Sequence, residues 1–81
     1  MININPIRQA RQELGLSMQN FCVMTNCGMS TLNQNEAGVP KQPTVKIINY
    51  LTAKGYDQAD LLTKYATYRE AAKNETLGGN E

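Results

Sequence analysis

The stretch of sequence that decides the fold is residues 14–38, LGLSMQNFCVMTNCGMSTLNQNEAG. It predicts two short helices joined by a tight turn. Gly15 is typical of a residue that ends one helix, and Ser17 is typical of the N-cap that begins the next. Asn26 stands where the turn between the two helices requires a residue that tolerates a positive φ.

Inward-facing positions recur at helical spacing on both sides of this turn. Phe21, Cys22 and Thr25 share the inward face of the first helix, and Leu32 is the inward anchor of the second. Two short helices separated in this way have the spacing of a helix-turn-helix, whose second helix enters the major groove of DNA. The stretch therefore predicts a regulator that reads DNA sequence.

Residues typical of the start of a helix precede three further segments. Asn5-Pro6 predicts the start of the first helix, and Thr44 and Asp57 are predicted N-caps of the last two. Because no strand pattern or repeat occurs, we expect an all-α fold with five helices in a single domain, residues 1–73, followed by a disordered tail over residues 74–81. The predicted helices span about 6–14, 17–24, 28–35, 44–54 and 58–73.

The bulk composition excludes several classes of protein. A chain of 81 residues buries only about 60% of its unfolded surface, so its stability is marginal and a partner subunit would help. No segment approaches the roughly 20 apolar residues of a membrane span. The N-terminus also lacks the pattern of a signal peptide. We therefore expect a cytoplasmic protein that does not associate with membranes.

The charge is unevenly distributed along the chain. Residues 1–56 contain five Lys or Arg and two acidic residues, whereas residues 57–81 contain three Lys or Arg and five acidic residues. A basic N-terminal segment and an acidic C-terminal segment are typical of a DNA-facing region with a separate interaction surface. Chance in a short chain is the alternative explanation.

The two cysteines do not form a recognisable metal motif. Cys22 and Cys27 do not have the CxxC spacing, and the chain has no His to complete a metal set. This pattern favours buried free thiols over a disulfide or a redox site. No nucleophile motif, phosphate loop or paired carboxylates occur, so we expect neither an enzyme nor a bound cofactor.

The helix order and the turn motif resemble the lambda-repressor-like DNA-binding domains of phage repressors and Cro proteins, also called the XRE family. The resemblance covers about residues 5–55, with the LGLS and EAG segments matching the family's helix exits. It implies an ion pair between Arg11 and Glu36 that ties helices one and three together. Three residues depart from the family pattern: Met18 stands where Gln is usual, Asn26 where the turn usually has glycine, and Asn35 where an apolar residue is usual.

The resemblance also implies which residues contact DNA. The predicted base-reading residues lie opposite Leu32, and three of them are uncharged and polar, as hydrogen bonding to base edges requires. The alternative is a solvated polar helix face. The base-reading residues are Met29, Ser30, Asn33 and Gln34, and the phosphate contacts are Ser17, Met18, Gln19, Lys41, Gln42 and Thr44.

The predicted fifth helix carries an apolar stripe that includes Leu61, Tyr65 and Tyr68. The stripe either covers the core of one subunit or forms a two-fold interface. Tyrosine is common at interfaces and palindromic operators require dimers, so we expect a homodimer.

The sequence thus predicts a dimeric repressor of phage or plasmid type that occupies a double-stranded DNA operator, with no evident small-molecule ligand. One alternative is a protein-interaction module of the same fold that does not bind DNA, which the low net charge and Met18 favour. Another alternative is an antitoxin-type autoregulator.

Overall fold

Five helices and no strand form within residues 4–79, the part of the chain whose backbone the computed structural model describes; side chains are described for residues 4–72. In chain order the helices are α1 (Pro6–Glu13), α2 (Met18–Thr25), α3 (Met29–Ala37), α4 (Val45–Ala53) and α5 (Gln58–Gly79). The all-α prediction is confirmed for these residues, and the first four helices begin and end within about two residues of their predicted bounds.

Three of the predicted N-caps use their side chains as expected. The side-chain oxygens of Asn5 and Ser17 accept backbone N–H groups of the following helical turn at 2.8 and 3.1 Å, and Asp57 does so at 2.8 Å. Pro6 occupies the first turn of α1, where its missing N–H costs nothing. Local sequence therefore fixes where α1, α2 and α5 begin.

Left-handed residues follow four of the helices. Gly15, Gly38 and Gly55 have φ values of 71°, 75° and 103°, and Asn26 has a φ of 57°. Gly38 is required for a second reason, because a Cβ atom there would lie 2.8 Å from a ring carbon of Tyr68. The α3 exit thus needs glycine both for its backbone conformation and for its contact with α5.

The core draws on all five helices. α1 packs against α3 and α5, α2 packs against α3 and α4, and α4 packs against α5. The rings of Phe21 and Tyr50 meet edge to face at 5.8 Å between centroids, which adds a specific contact to the burial. The buried apolar residues are Ile7, Ala10, Phe21, Leu32, Ile47, Ile48, Leu51, Leu61 and Tyr65.

Thr44 precedes α4 as predicted, but its side chain does not cap the helix. The hydroxyl oxygen instead accepts a hydrogen bond from the side-chain amide of Asn35 at 2.9 Å. A partner on another helix has replaced the local one, which a cap rule based on neighbouring residues cannot anticipate.

The last helix is longer than predicted. α5 continues to Gly79, past the predicted end at Lys73. Residues 74–77 include the good helix formers Glu and Leu, and the two glycines come only at 78–79. The predicted tail, residues 74–81, lies outside the residues whose side chains are described, so its disorder stays a prediction. None of the described helices combines the length and the apolar character needed to cross a membrane.

Candidate functional site

α3 has one exposed face and one buried face. Leu32 is fully buried, whereas Ser30, Asn33 and Gln34 are exposed and Met29 retains 40% of its accessible surface. The four predicted base-reading residues therefore come together on the accessible side of one helix. None of them carries a charge, so the face offers hydroxyl, amide and thioether groups to a partner.

The C-terminal half of α3 is held by Asn35, which is only 1% exposed. Its amide nitrogen donates to the Thr31 carbonyl at 2.8 Å and to the Thr44 hydroxyl at 2.9 Å. Its amide oxygen accepts from the Thr44 backbone N–H at 2.7 Å, and its backbone carbonyl accepts from the Asn5 side chain at 2.9 Å. Asn35 therefore joins α3 to the start of α4 and to the start of α1.

Sequence reasoning noted Asn35 only as a departure from an apolar position. The signal that was available is that a polar residue at an inward helical position must find partners. Among the described residues no buried side-chain nitrogen or oxygen lacks a hydrogen bond, so the network around Asn35 is fully satisfied. A satisfied buried network of this kind fixes one arrangement of the helices it joins.

Arg11 and Glu36 form the ion pair expected between α1 and α3. The Arg11 Nε lies 2.7 Å from Oε2 of Glu36, and Nη2 donates to Oε1 at 3.3 Å. Nη1 donates to the Leu16 carbonyl at 2.9 Å, just before α2 begins. The two side chains are only 13% and 8% exposed, so this bidentate pair is largely shielded from water.

The six predicted phosphate contacts differ in what they can offer. Ser17, Gln19, Lys41 and Gln42 are exposed. Met18 is partly buried against the core, which leaves its backbone N–H in the first turn of α2 as the polar group it can present. The Thr44 hydroxyl is already bonded to Asn35, as described above.

The loop between α3 and α4 is fastened to α5, a feature that the sequence did not predict. The Tyr65 hydroxyl donates to the Pro40 carbonyl at 2.8 Å, and the Arg69 Nε donates to the Gly38 carbonyl at 3.0 Å. A shallow cleft of about 290 Å³ lies beside this contact, with Lys41 on its rim. The loop that carries Lys41 and Gln42 is therefore positioned by the last helix.

The predicted dimer surface needs correction at two of its three residues. Leu61 and Tyr65 are 3% and 1% exposed within a single copy of the chain, so both belong to the core of the subunit. Burial is also the largest cause of the raised pKa of the Tyr65 hydroxyl. Tyr68 is half-buried beside Gly38. Leu61 and Tyr65 cover the core of the subunit, which is the first of the two interpretations of the stripe rather than the favoured one.

The cysteines are free thiols, as the sequence favoured, and both are half-buried against the core rather than fully buried. Burial is the largest cause raising the pKa of Cys22, followed by the nearby Cys27 thiol and the Glu36 carboxylate. Within the described residues no three His, Cys, Asp or Glu side chains come together as a metal site.

Comparison with known proteins finds no matching family model, no matching curated protein and no matching solved structure. Within residues 4–79 the chain is an all-helical domain that exposes one uncharged face of α3.

Proposed function

We propose that this protein is a sequence-specific DNA-binding regulator that acts by occupying an operator, with α3 in the major groove. The observation that carries the proposal is the two-sided character of α3. One side is fixed by Leu32, Asn35 and Glu36, and the other side exposes uncharged polar groups. A helix that reads base edges needs this combination, because a site held rigidly loses less entropy on binding.

The chemistry of the exposed face suits base edges. Asn33 and Gln34 carry amides that can bond bidentately to adenine, and the Ser30 hydroxyl can bond to several bases. Met29 can pack against a thymine methyl group. An uncharged face of this kind discriminates by hydrogen-bond pattern, so the electrostatic part of the affinity must come from elsewhere.

The attraction to phosphate is assigned to the start of α2 and to the loop after α3. The exposed Ser17 and Gln19 lie at the N-terminus of α2, where free backbone N–H groups favour an anion. Lys41 and Gln42 are exposed on the loop that α5 holds. Few cations are involved, so the affinity should depend on salt less steeply than that of a strongly basic protein.

A homodimer is part of the proposal, since a palindromic operator presents two half-sites about 34 Å apart. With Leu61 and Tyr65 buried in the subunit core, the dimer contact must use other surface. Sedimentation with and without a selected operator duplex measures the state of assembly directly.

Selection of bound sequences from random duplex DNA tests the function. We expect a preferred site to emerge, and we expect its affinity to fall linearly on a log–log plot as salt is raised. Recovery of random sequence after repeated rounds, together with no mobility shift at low salt, would reject DNA binding.

A protein-interaction module is the second candidate. The observation that favours it is the exposure of large apolar side chains at Val23, Val39 and Val45, together with a net charge of only +1. If this candidate is correct, random-duplex selection fails while the protein remains folded by circular dichroism.

A further inference from the structure

Three sulfur atoms surround the turn between α2 and α3. Cys22 belongs to α2, Cys27 follows the turn, and Met29 begins α3. The Cys22 Sγ lies 4.0 Å from the Met29 Sδ. The proposed DNA-binding surface includes Met29, but it assigns no role to the two thiols at the same turn.

The backbone of the turn brings the two cysteines together. The Cys27 N–H donates to the Cys22 carbonyl at 3.1 Å, and the Asn26 N–H donates to the Val23 carbonyl at 3.3 Å. These are the two hydrogen bonds of a Schellman motif, closed by Asn26 in the left-handed conformation. Side chains at the two ends of such a motif frequently contact each other, and here both ends are cysteines.

We propose that Cys22, Cys27 and Met29 form a binding site for one soft monovalent metal ion, Cu(I). A trigonal ion with metal–sulfur bonds of about 2.3 Å separates its ligand sulfurs by about 4.0 Å. The distance between the Cys22 Sγ and the Met29 Sδ already has this value. The Cys27 thiol, which bonds the Thr25 carbonyl at 3.5 Å, supplies the third ligand by rotating about its own side chain.

The donor set selects the ion. Thiolate and thioether ligands favour Cu(I), whereas structural zinc requires four ligands in tetrahedral geometry. The chain contains no His, and the Glu36 carboxylate is engaged by Arg11. Three sulfur donors with no fourth partner therefore match a three-coordinate soft ion.

The three residues are not sealed in the core: Met29 is 40% exposed, and both cysteines are half-buried. Binding replaces two thiol protons by one Cu(I), so two protons are released and the ligated cluster has a net charge of −1. The Lys46 ammonium, which donates to the Asn26 carbonyl at 3.2 Å, lies at the same turn and offsets this charge. Because binding releases protons, the affinity for Cu(I) should rise with pH.

The test uses the full-length reduced protein under anaerobic conditions, with Cu(I) delivered from a chromophoric Cu(I) chelator. We expect the wild type to remove one Cu(I) per chain from the chelator. Cys22→Ser and Cys27→Ser should abolish this competition. Met29→Leu, which keeps the volume of the side chain, should weaken binding by about tenfold to a hundredfold, the range seen when a supporting group of a metal site is lost.

Met24→Leu is the matched control, because Met24 is an exposed methionine on α2 outside the cluster. It should bind Cu(I) like the wild type. X-ray absorption should give three sulfur neighbours at about 2.3 Å. Met29→Leu leaves the buried core untouched, so the result does not depend on whether the cysteine variants fold. Wild-type affinity in Met29→Leu, a preference for Zn(II), or no competition by the wild type would each overturn the proposal. These readouts are independent of DNA.

Discussion

Asn35 and Thr44 hydrogen bond to each other in both directions. The Asn35 amide donates to the Thr44 hydroxyl at 2.9 Å and accepts from the Thr44 backbone N–H at 2.7 Å. The pair closes the loop between α3 and α4 at its base. Asn35 is therefore the side chain that links the exposed α3 helix directly to the start of α4.

Replacing Asn35 by Ala should lower the free energy of unfolding by about 2–3 kcal/mol. The change removes the partner of a shielded backbone N–H, and such a loss costs about 1–3 kcal/mol per group. Urea unfolding measures it. Asn33→Ala on the exposed face of the same helix is the control and should stay within about 0.5 kcal/mol. Equal effects of the two variants would contradict the role of Asn35.

A double-mutant cycle on Arg11 and Glu36 should give a coupling energy of about 1–3 kcal/mol, because the pair is bidentate and shielded. Thermal or urea unfolding of Arg11→Met, Glu36→Gln and the double variant supplies the data. The exposed pair Lys64–Asp60, with 60% and 56% exposure, is the control and should couple by about 0.5 kcal/mol or less. If the effects of Arg11→Met and Glu36→Gln on the free energy of unfolding are strictly additive, the ion pair contributes nothing to stability.

Gly38→Ala should be more destabilising than Gly15→Ala. Both glycines have left-handed φ values of similar size, but only Gly38 has a neighbour in the space of the missing Cβ. The shared backbone strain costs about 1–2 kcal/mol, and the collision with Tyr68 adds about 1–3 kcal/mol. Unfolding midpoints at equal m-values measure the difference. Indistinguishable variants would mean that the Tyr68 ring moves away freely.

Tyr56 should titrate late. Its hydroxyl donates to the Glu13 carboxylate at 2.6 Å, and this hydrogen bond is the main cause that raises its pKa to about 12. Because the folded state holds the proton more tightly than the unfolded chain, the bond stabilises the fold fully below pH 10. That contribution is lost as the pH rises towards 12. Ultraviolet titration of tyrosinate in the wild type and in Glu13→Gln checks this: the variant should lose one late-titrating component.

Gln34→Ala and Lys41→Ala should separate base reading from phosphate attraction. On a selected duplex, Gln34→Ala should weaken the free energy of binding by about 1–3 kcal/mol and relax the sequence preference at one base pair. Lys41→Ala should weaken specific and random DNA alike and reduce the salt slope by about one unit. A Lys41 effect confined to one sequence would contradict its assignment to phosphate.

The helix starts at Asn5, Ser17 and Asp57 were predictable because a cap depends on residues within one turn of it. The exposure of the α3 face followed equally well from the spacing around Leu32. In both cases the information is local in the sequence. The roles assigned to that face remain predictions, since exposure alone does not identify a partner.

Other features depended on contacts between distant segments. The side chain of Thr44 bonds to Asn35 across the loop instead of capping its own helix. The stripe through Leu61 and Tyr65 indicated an apolar face, but periodicity does not reveal whether the same chain or a second copy covers it. The tie between Arg69 and the Gly38 carbonyl spans 31 residues and leaves no local pattern.

The ties from Tyr65 and Arg69 to the loop after α3 have a consequence for biosynthesis. The loop is synthesised before the helix that fastens it, because its two partners lie 25 and 31 residues further along the chain. Domains assemble as units when their parts have left the ribosome. The loop therefore acquires these two anchors only after α5 has been synthesised.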